Sequence, residues 1–517
     1  MNSLLQAATT LTELPTQLAD LRLSFAFLLP EIVLALGLTV TLVAGAAWGR
    51  TRPALSPGLA FLALTLAGLS LLFVSGSSSV VFLGMVIPDR LSIVARGFFL
   101  VSGALTVALC WAQPALRHSK IRADELYVLL LGLVLGLQLL VLSAHWLLLY
   151  MGLELLSLCA YAMTAYLRND ARAAEASLKY FIYGAVASAL MLYGISLLYG
   201  LTGLMTFTQP DFWQALAAQP PEAVLVALLL TFAGLAYKLA ALPFHFWAPD
   251  AYQGALAPVA GFFAAGPKVA GFIALMRWLL TANQIAPEAW VQFNLAIALL
   301  GFFSLLWGNL AALGQTDFRR LLAYSAIGHT GLVLLVLAVA GPAQAGGAVL
   351  LYLLVYSLAS LGAFAVGDGF AQVSGREDYL GWRGLGRQHP RMAGLLVIQL
   401  VSLTGLPPTA GFPAKLLLFL PFLAVYQATG NTWILVGLVV AVLVTVVGLA
   451  YYLRPLASLL LPSTISETDV PQGRTSVPPP DFPRIIRWLG LGLTVPLLVL
   501  GLWGFGQLAH WLQTFFG

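Results

Sequence analysis

Charge is what this chain lacks most. Of 517 residues only 9% are Asp, Glu, Lys or Arg, while 60% are hydrophobic. Soluble domains carry roughly a quarter of their residues as charges, so a water-facing globular fold is excluded. Cysteine is nearly absent too. Cys110 and Cys159 both lie in apolar runs, with no CxxC and no Cys/His cluster. That argues against haem, iron–sulfur and zinc sites, and the missing GxGxxG loop argues against a nucleotide site. The net charge of +5 does not point to nucleic acid, because the basic residues fall in loops between apolar runs. Residues 1–22 contain Glu13 and Asp20 and no basic stretch before a short apolar core. No cleavable signal is expected, and the first span serves as the signal.

What the chain has instead is long apolar runs, fourteen of them long enough to span a bilayer. Loop charges test that count. With both termini outside, the inside loops hold 17 of the 25 basic residues and the outside segments hold only Arg22 and Arg90. One missed span would invert every later loop and destroy this bias. The fold expected is an all-α polytopic membrane protein of about 14 transmembrane helices.

Two runs, 222–254 and 392–427, exceed the roughly 20 residues of one straight span. The first contains Pro243 and the second Pro407 and Pro408. Proline removes a backbone donor and clashes with the preceding turn, so spans 7 and 12 are expected to be discontinuous. They lie five spans apart, each with a lysine near its break, and an odd offset reverses orientation. Spans 4–8 and 9–13 are therefore expected to be two inverted five-helix repeats. The divisions expected are an N-terminal three-helix segment (1–120), repeats over 121–285 and 286–455, a flexible linker (456–484) and a C-terminal transmembrane helix (485–517).

Ionisable residues inside such spans mark sites by default. Glu154 lies halfway through span 5, and Lys238, at similar depth in broken span 7, is its expected partner. The alternative is a static structural ion pair. Lys268 is midway through span 8, His329 midway through span 10, and Lys415 follows the second break. Desolvation disfavours a charged lysine and histidine titrates near neutrality, so these groups suit a proton relay. His329 could equally be a structural hydrogen-bonder, although Tyr324, Ser325 and Thr330 surround it with polar groups. His245, inside the first break, is expected to connect Glu154/Lys238 to Lys268. Lys179, near the inner end of span 6, admits snorkelling or function. Arg277 and Arg96 read as snorkellers, Glu31 as facing the outer aqueous side, and Asp250 as a cap of the short half-helix.

MGLELLSL with Glu154, SLKYFIYGAVASALMLYG with Lys179, AYKLAALPFHFWAPDAYQGA with Lys238, PKVAGF with Lys268, FRRLLAYSAIGHTG with His329 and LTGLPPTAGFPAKLLLF with Lys415 carry a resemblance. Together they resemble the antiporter-like proton-translocating membrane subunits of respiratory complex I, which are related to subunits of multi-subunit sodium/proton antiporters. Within that family the chain is most similar to subunit N, also called subunit 2. The M-type subunit typically has Glu where Lys415 stands, and the L-type adds a long lateral helix for which the residues up to Gly517 leave no room. The likeness covers about residues 120–455.

The resemblance implies a subunit of a proton-pumping NADH:quinone oxidoreductase with no redox centre of its own. Glu154 and Lys238 would load or gate the proton, Lys268 would receive it, and Lys415 would exchange it with the far side. His245, His329 and Lys179 would support them. NADH, FMN, iron–sulfur clusters and quinone would sit on partner subunits. The partners implied are the M/L-type and small membrane subunits, the peripheral arm, membrane lipids and protons, in a bacterial plasma membrane or alternatively a thylakoid. The competing hypotheses are a secondary cation/proton antiporter subunit without redox partner, and a scaffold whose buried charges serve only assembly.

Overall fold

The computed structural model describes residues 24–77, 79–117, 123–285, 288–462, 482–504, 506 and 508. The N-terminal tail and most of the linker expected over 456–484 lie outside them. Among the described residues the chain is helical throughout, with isolated β-bridges and no strands. Lipid offers backbone groups no hydrogen-bond partner, so apolar runs of this length satisfy their own amides as helices.

The main helices are α1 (Leu29–Trp48), α2 (Leu55–Leu71), α3 (Arg90–Trp111), α4 (Asp124–Leu142), α5 (Trp146–Thr164), α6 (Ala171–Thr202), α7 (Pro221–Leu239), α8 (Trp247–Gly254), α9 (Ala257–Ile285), α10 (Glu288–Ala312), α11 (Phe318–Ser374), α12 (Pro390–Thr404), α13 (Gly411–Thr429), α14 (Thr432–Leu460) and α15 (Arg484–Val499). Twelve helices are long and apolar enough to cross a membrane, and Leu55–Leu71 and Pro390–Thr404 are shorter apolar ones. The difference of two from the expected fourteen has two local causes: α2, at 17 residues, is one of the shorter helices, and α11 holds two limbs. α11 runs through 57 residues, yet Gly341 within it is non-helical (φ 71°, ψ 163°) and is followed by Pro342, so its hydrogen-bonded length hides two limbs.

α9 is the centre of the molecule: every residue from Gly254 to Leu279 is buried. α14 lies at the opposite extreme, with Leu443 and Val446 among its many exposed apolar side chains. Glycines set the closest approaches. A Cβ on Gly136 of α4 would stand 2.6 Å from the Leu156 amide of α5, and one on Gly152 2.8 Å from the Leu140 amide. This mutual contact fixes the helix that carries Glu154 and Ser157. Between α10 and α11, a Cβ on Gly301 would come within 2.7 Å of the Leu335 amide. Such small-residue seams substitute for the hydrophobic drive that lipid cannot supply.

Candidate functional site

The site begins with the two breaks. α7 ends at Leu239; Ala240 turns left-handed (φ 57°, ψ 40°), and the Ala241 amide closes the helix end on the Ala236 carbonyl at 2.8 Å. The Leu242 amide donates to Ser304 Oγ of α10 at 2.8 Å, and the chain is helical again only at Trp247. α12 ends the same way. Gly405 is left-handed (φ 83°, ψ 48°), the Leu406 amide reaches back to the Val401 carbonyl at 3.2 Å, and α13 starts at Gly411. The Ala410 amide in this second break donates to the Leu497 carbonyl of α15 at 2.8 Å.

A helix that stops inside the protein interior exposes its last carbonyls, the negative end of its dipole. Both ends meet a buried ammonium. Lys268 Nζ donates to the Leu239 carbonyl at 3.2 Å, to the Ala326 carbonyl at 2.8 Å and to Thr330 Oγ1 at 2.6 Å. Thr330 Oγ1 in turn donates to the same Leu239 carbonyl at 2.8 Å. Lys415 Nζ donates to the Leu403 and Thr404 carbonyls at 2.9 and 2.8 Å.

Lys238, the third buried lysine, points towards α5 and α6. Its Nζ donates to Ser157 Oγ and Tyr180 OH, each at 3.1 Å. Tyr180 is held by a stacked contact with Trp247 (centroids 4.1 Å, planes 7° apart), the first residue of α8. The Trp247 indole also donates to the Tyr237 carbonyl at 3.0 Å. Glu154 and Lys238, expected to pair directly or through one water, share no direct hydrogen bond among the described residues. Ser157, one turn further along α5, takes the lysine, while Glu154 Oε1 is buried with no hydrogen-bond partner among the described residues.

His329 shares its helical turn with Ala326 and Thr330 but faces the other way. Its Nδ1 lies 2.5 Å from Tyr352 OH and its Nε2 3.2 Å from Tyr452 OH, and Tyr452 also bonds Ser325. His329, Tyr452, Thr404 and Lys415 line one small cavity. Lys268, His329 and Lys415 are thus brought together around α11. His245 does not join them. Its ring packs on Phe246 and Trp307 (centroids 4.2 and 6.2 Å), and its Nδ1 is buried without a hydrogen-bond partner among the described residues. Among the described residues it has no hydrogen bond to Lys238 or Lys268.

Lys179, left open between snorkelling and function, is half-exposed and pairs with Glu175 at 2.7 Å and Asp250 at 2.9 Å. Four peripheral expectations are corrected. Asp250 does not cap α8, whose N-cap makes no side-chain bond; its second oxygen binds Arg320 at 2.5 Å, so it joins α6, α8 and α11. Arg96 is fully buried against Glu31 (3.0 Å), which is itself buried. Arg277 is buried and bonded to Asp89 at 2.5 Å. For Arg96 and Arg277 a carboxylate distant in sequence makes burial tolerable, and position within the span alone gave no sign of it. Sequence reasoning also missed Ser157, Tyr180, Tyr352 and Tyr452. Tyr180 is adjacent to Lys179 in the motif SLKYFIY, the one signal available.

Residues 143–445 match the family described as NADH:quinone oxidoreductase/Mrp antiporter, TM. The chain is 36% identical over 501 residues to NADH-quinone oxidoreductase subunit N 2 of Sorangium cellulosum, covering 93% of this chain and 95% of that one. It is 39% identical over 428 residues to NADH-quinone oxidoreductase subunit N of Granulibacter bethesdensis, covering 82% and 87%. In structure it resembles a chain of respiratory complex I from Thermus thermophilus with bound aureothin (TM-score 0.73, 32% identity, 93% and 98% covered). It also shares its fold with a chain of the Mrp complex from Dietzia sp. (TM-score 0.76, 22% identity, 95% and 97% covered).

Proposed function

This chain belongs to the NADH-quinone oxidoreductase subunit N family, and on that premise we propose that it conducts protons across a bacterial plasma membrane as part of complex I. Electron transfer from NADH or ferredoxin to quinone takes place on partner subunits, which also hold the FMN and iron–sulfur clusters. This chain contributes the translocase path. Counting the two limbs of α11 separately, and each broken pair α7/α8 and α12/α13 as one, gives fourteen passes. Spans 4–8 and 9–13, within residues 121–285 and 286–455, are the inverted repeats.

The observation that carries the reading is the set of buried ammoniums at the two helix breaks. Lys268 and Lys415 each bind carbonyls that a continuous helix would have used itself. A carbonyl can hold an ammonium but cannot pass a proton on, so transfer needs hydroxyls, imidazole or water. Tyr180 and Ser157 serve Lys238, Thr330 serves Lys268, and His329 with Tyr452 lies between Lys268 and Lys415. Water completes the gaps. Glu154, one turn from the Ser157 that binds Lys238, changes the field at that lysine when it gains or loses charge.

Glu154→Gln in the assembled complex tests this. Pumping-coupled turnover falls while the complex remains in the membrane; a complex that disappears from the membrane supports a scaffold role instead. A secondary antiporter subunit is the second reading, favoured by the shared fold with the Mrp chain. The greater identity to subunit N chains favours the first. Peripheral iron–sulfur proteins that co-purify with the chain decide for it, and antiporter partners decide against it.

A further inference from the structure

The N-terminal ends of α12 and α15 lie side by side and enclose a groove of about 780 Å³. Three arginines stand at its mouth. Arg391 is the second residue of α12, Arg484 opens α15, and Arg487 follows one turn later. Among the described residues no carboxylate lines the groove. Among the described residues neither Arg391 nor Arg484 forms an ion pair. Below the arginines the walls turn apolar, with Leu395 and Ile398 on α12 and Leu491 on α15. Trp488, 73% exposed at the rim, is the residue type that anchors at a membrane–water boundary. From Arg391 to Ile398 the groove descends about 10 Å at 1.5 Å per helical residue, well into one leaflet of a roughly 30 Å hydrocarbon core.

We propose that this groove binds one anionic phospholipid, with its phosphate among Arg391, Arg484 and Arg487 and an acyl chain along the apolar walls. A transmembrane helix of a partner would cover the walls but leave the Arg391 and Arg484 guanidiniums to be matched at the mouth. A phospholipid supplies both the anion and the chain in one molecule. Basic pockets between helices on the positively charged side suit such headgroups, and both groove loops belong to the arginine-rich side of the chain. The positive ends of two helix dipoles add to the field. The lipid would sit on the helix pair that frames the second break. Gln399 of α12 donates to Thr494 of α15 at 3.0 Å, and α15 also receives the Ala410 amide of the break that carries Lys415.

The test uses the whole complex reconstituted in phosphatidylcholine vesicles containing trace photoactivatable phosphatidylglycerol or, separately, photoactivatable phosphatidylcholine. Labelling of the peptides spanning 388–398 and 484–491 is read by mass spectrometry. Phosphatidylglycerol labels them several-fold more strongly, and each Arg→Gln at 391, 484 or 487 reduces that preference about fivefold. Gly394→Leu fills the groove and lowers labelling by both lipids. A Cβ at Gly394 meets nothing within 4 Å, so this variant leaves the helix packing intact. Equal labelling by the two lipids in the unaltered complex overturns the proposal. A preference that survives the triple arginine substitution does so too. The absence of lipid labelling, with crosslinks from the same peptides to another subunit, would make the groove a protein interface and also overturns it.

Discussion

Thr330→Val isolates one hydroxyl at the centre of the proposed path. Thr330 Oγ1 accepts from Lys268 Nζ at 2.6 Å and donates to the Leu239 carbonyl at 2.8 Å. Valine keeps the shape of the side chain and removes both bonds. Lys268 keeps its two carbonyl partners, Leu239 and Ala326. A hydrogen bond to a charged group contributes about 1.5–3 kcal/mol, roughly 10- to 150-fold in an equilibrium constant. The ammonium at Lys268 is disfavoured by that factor, and no hydroxyl remains beside it to relay a proton. The assay is NADH:quinone turnover and proton uptake by proteoliposomes of the assembled complex, with and without an uncoupler. Thr330→Val lowers both turnover and pumping, while Thr330→Ser, which keeps the hydroxyl, stays close to the unaltered complex. Equal losses in the two variants would reduce Thr330 to a packing residue. No loss in Thr330→Val would refute its part in transfer.

Three further outcomes follow from the geometry. Tyr180→Phe keeps the ring stacked on Trp247 and removes one of the two hydroxyl partners of Lys238; coupled turnover falls about tenfold or less, with assembly unchanged on a native gel. Glu31→Gln strips the buried Arg96 of its counter-charge and costs about 3–5 kcal/mol, seen as a lower midpoint in thermal dissociation of the complex. The double variant Glu31→Leu/Arg96→Met recovers much of that loss, because an apolar pair needs no counter-charge. Gly301→Val drives a side chain into the backbone of α11 near Leu335, and the amount of chain accumulating in the membrane falls sharply, as measured by immunoblot.

What could be seen in the sequence, and what could not, divides along physical lines. Proline and excess length are local properties. The interruptions near Leu242–Pro243 and between Gly405 and Gly411 could therefore be inferred before any contact was known. A lysine or histidine inside an apolar run is equally conspicuous, and Lys238, Lys268, His329 and Lys415 all prove to be buried or lining an internal cavity. Partners were not legible. The carbonyls of Leu239, Leu403 and Thr404 carry no side-chain signature. They become ligands only because a helix stops at them. Glu31 and Asp89 lie far along the chain from Arg96 and Arg277, so both arginines resembled surface snorkellers. The expected pairing of Glu154 with Lys238, directly or through one water, rested on common depth. Depth does not fix azimuth, and Ser157, a turn away on the same helix, receives the lysine. His245 stands in the break but turns towards Trp307 of α10, and depth alone did not give that direction either.

The account stands on buried lysines serving as stations for a moving proton. The most direct measurement is the proton-to-electron stoichiometry of Lys268→Ala and Lys415→Ala complexes that assemble normally, in sealed proteoliposomes with NADH and quinone. Lowered stoichiometry or lowered coupled turnover in both is the predicted result. Unchanged stoichiometry and unchanged coupled turnover in both would mean that protons do not travel through this row.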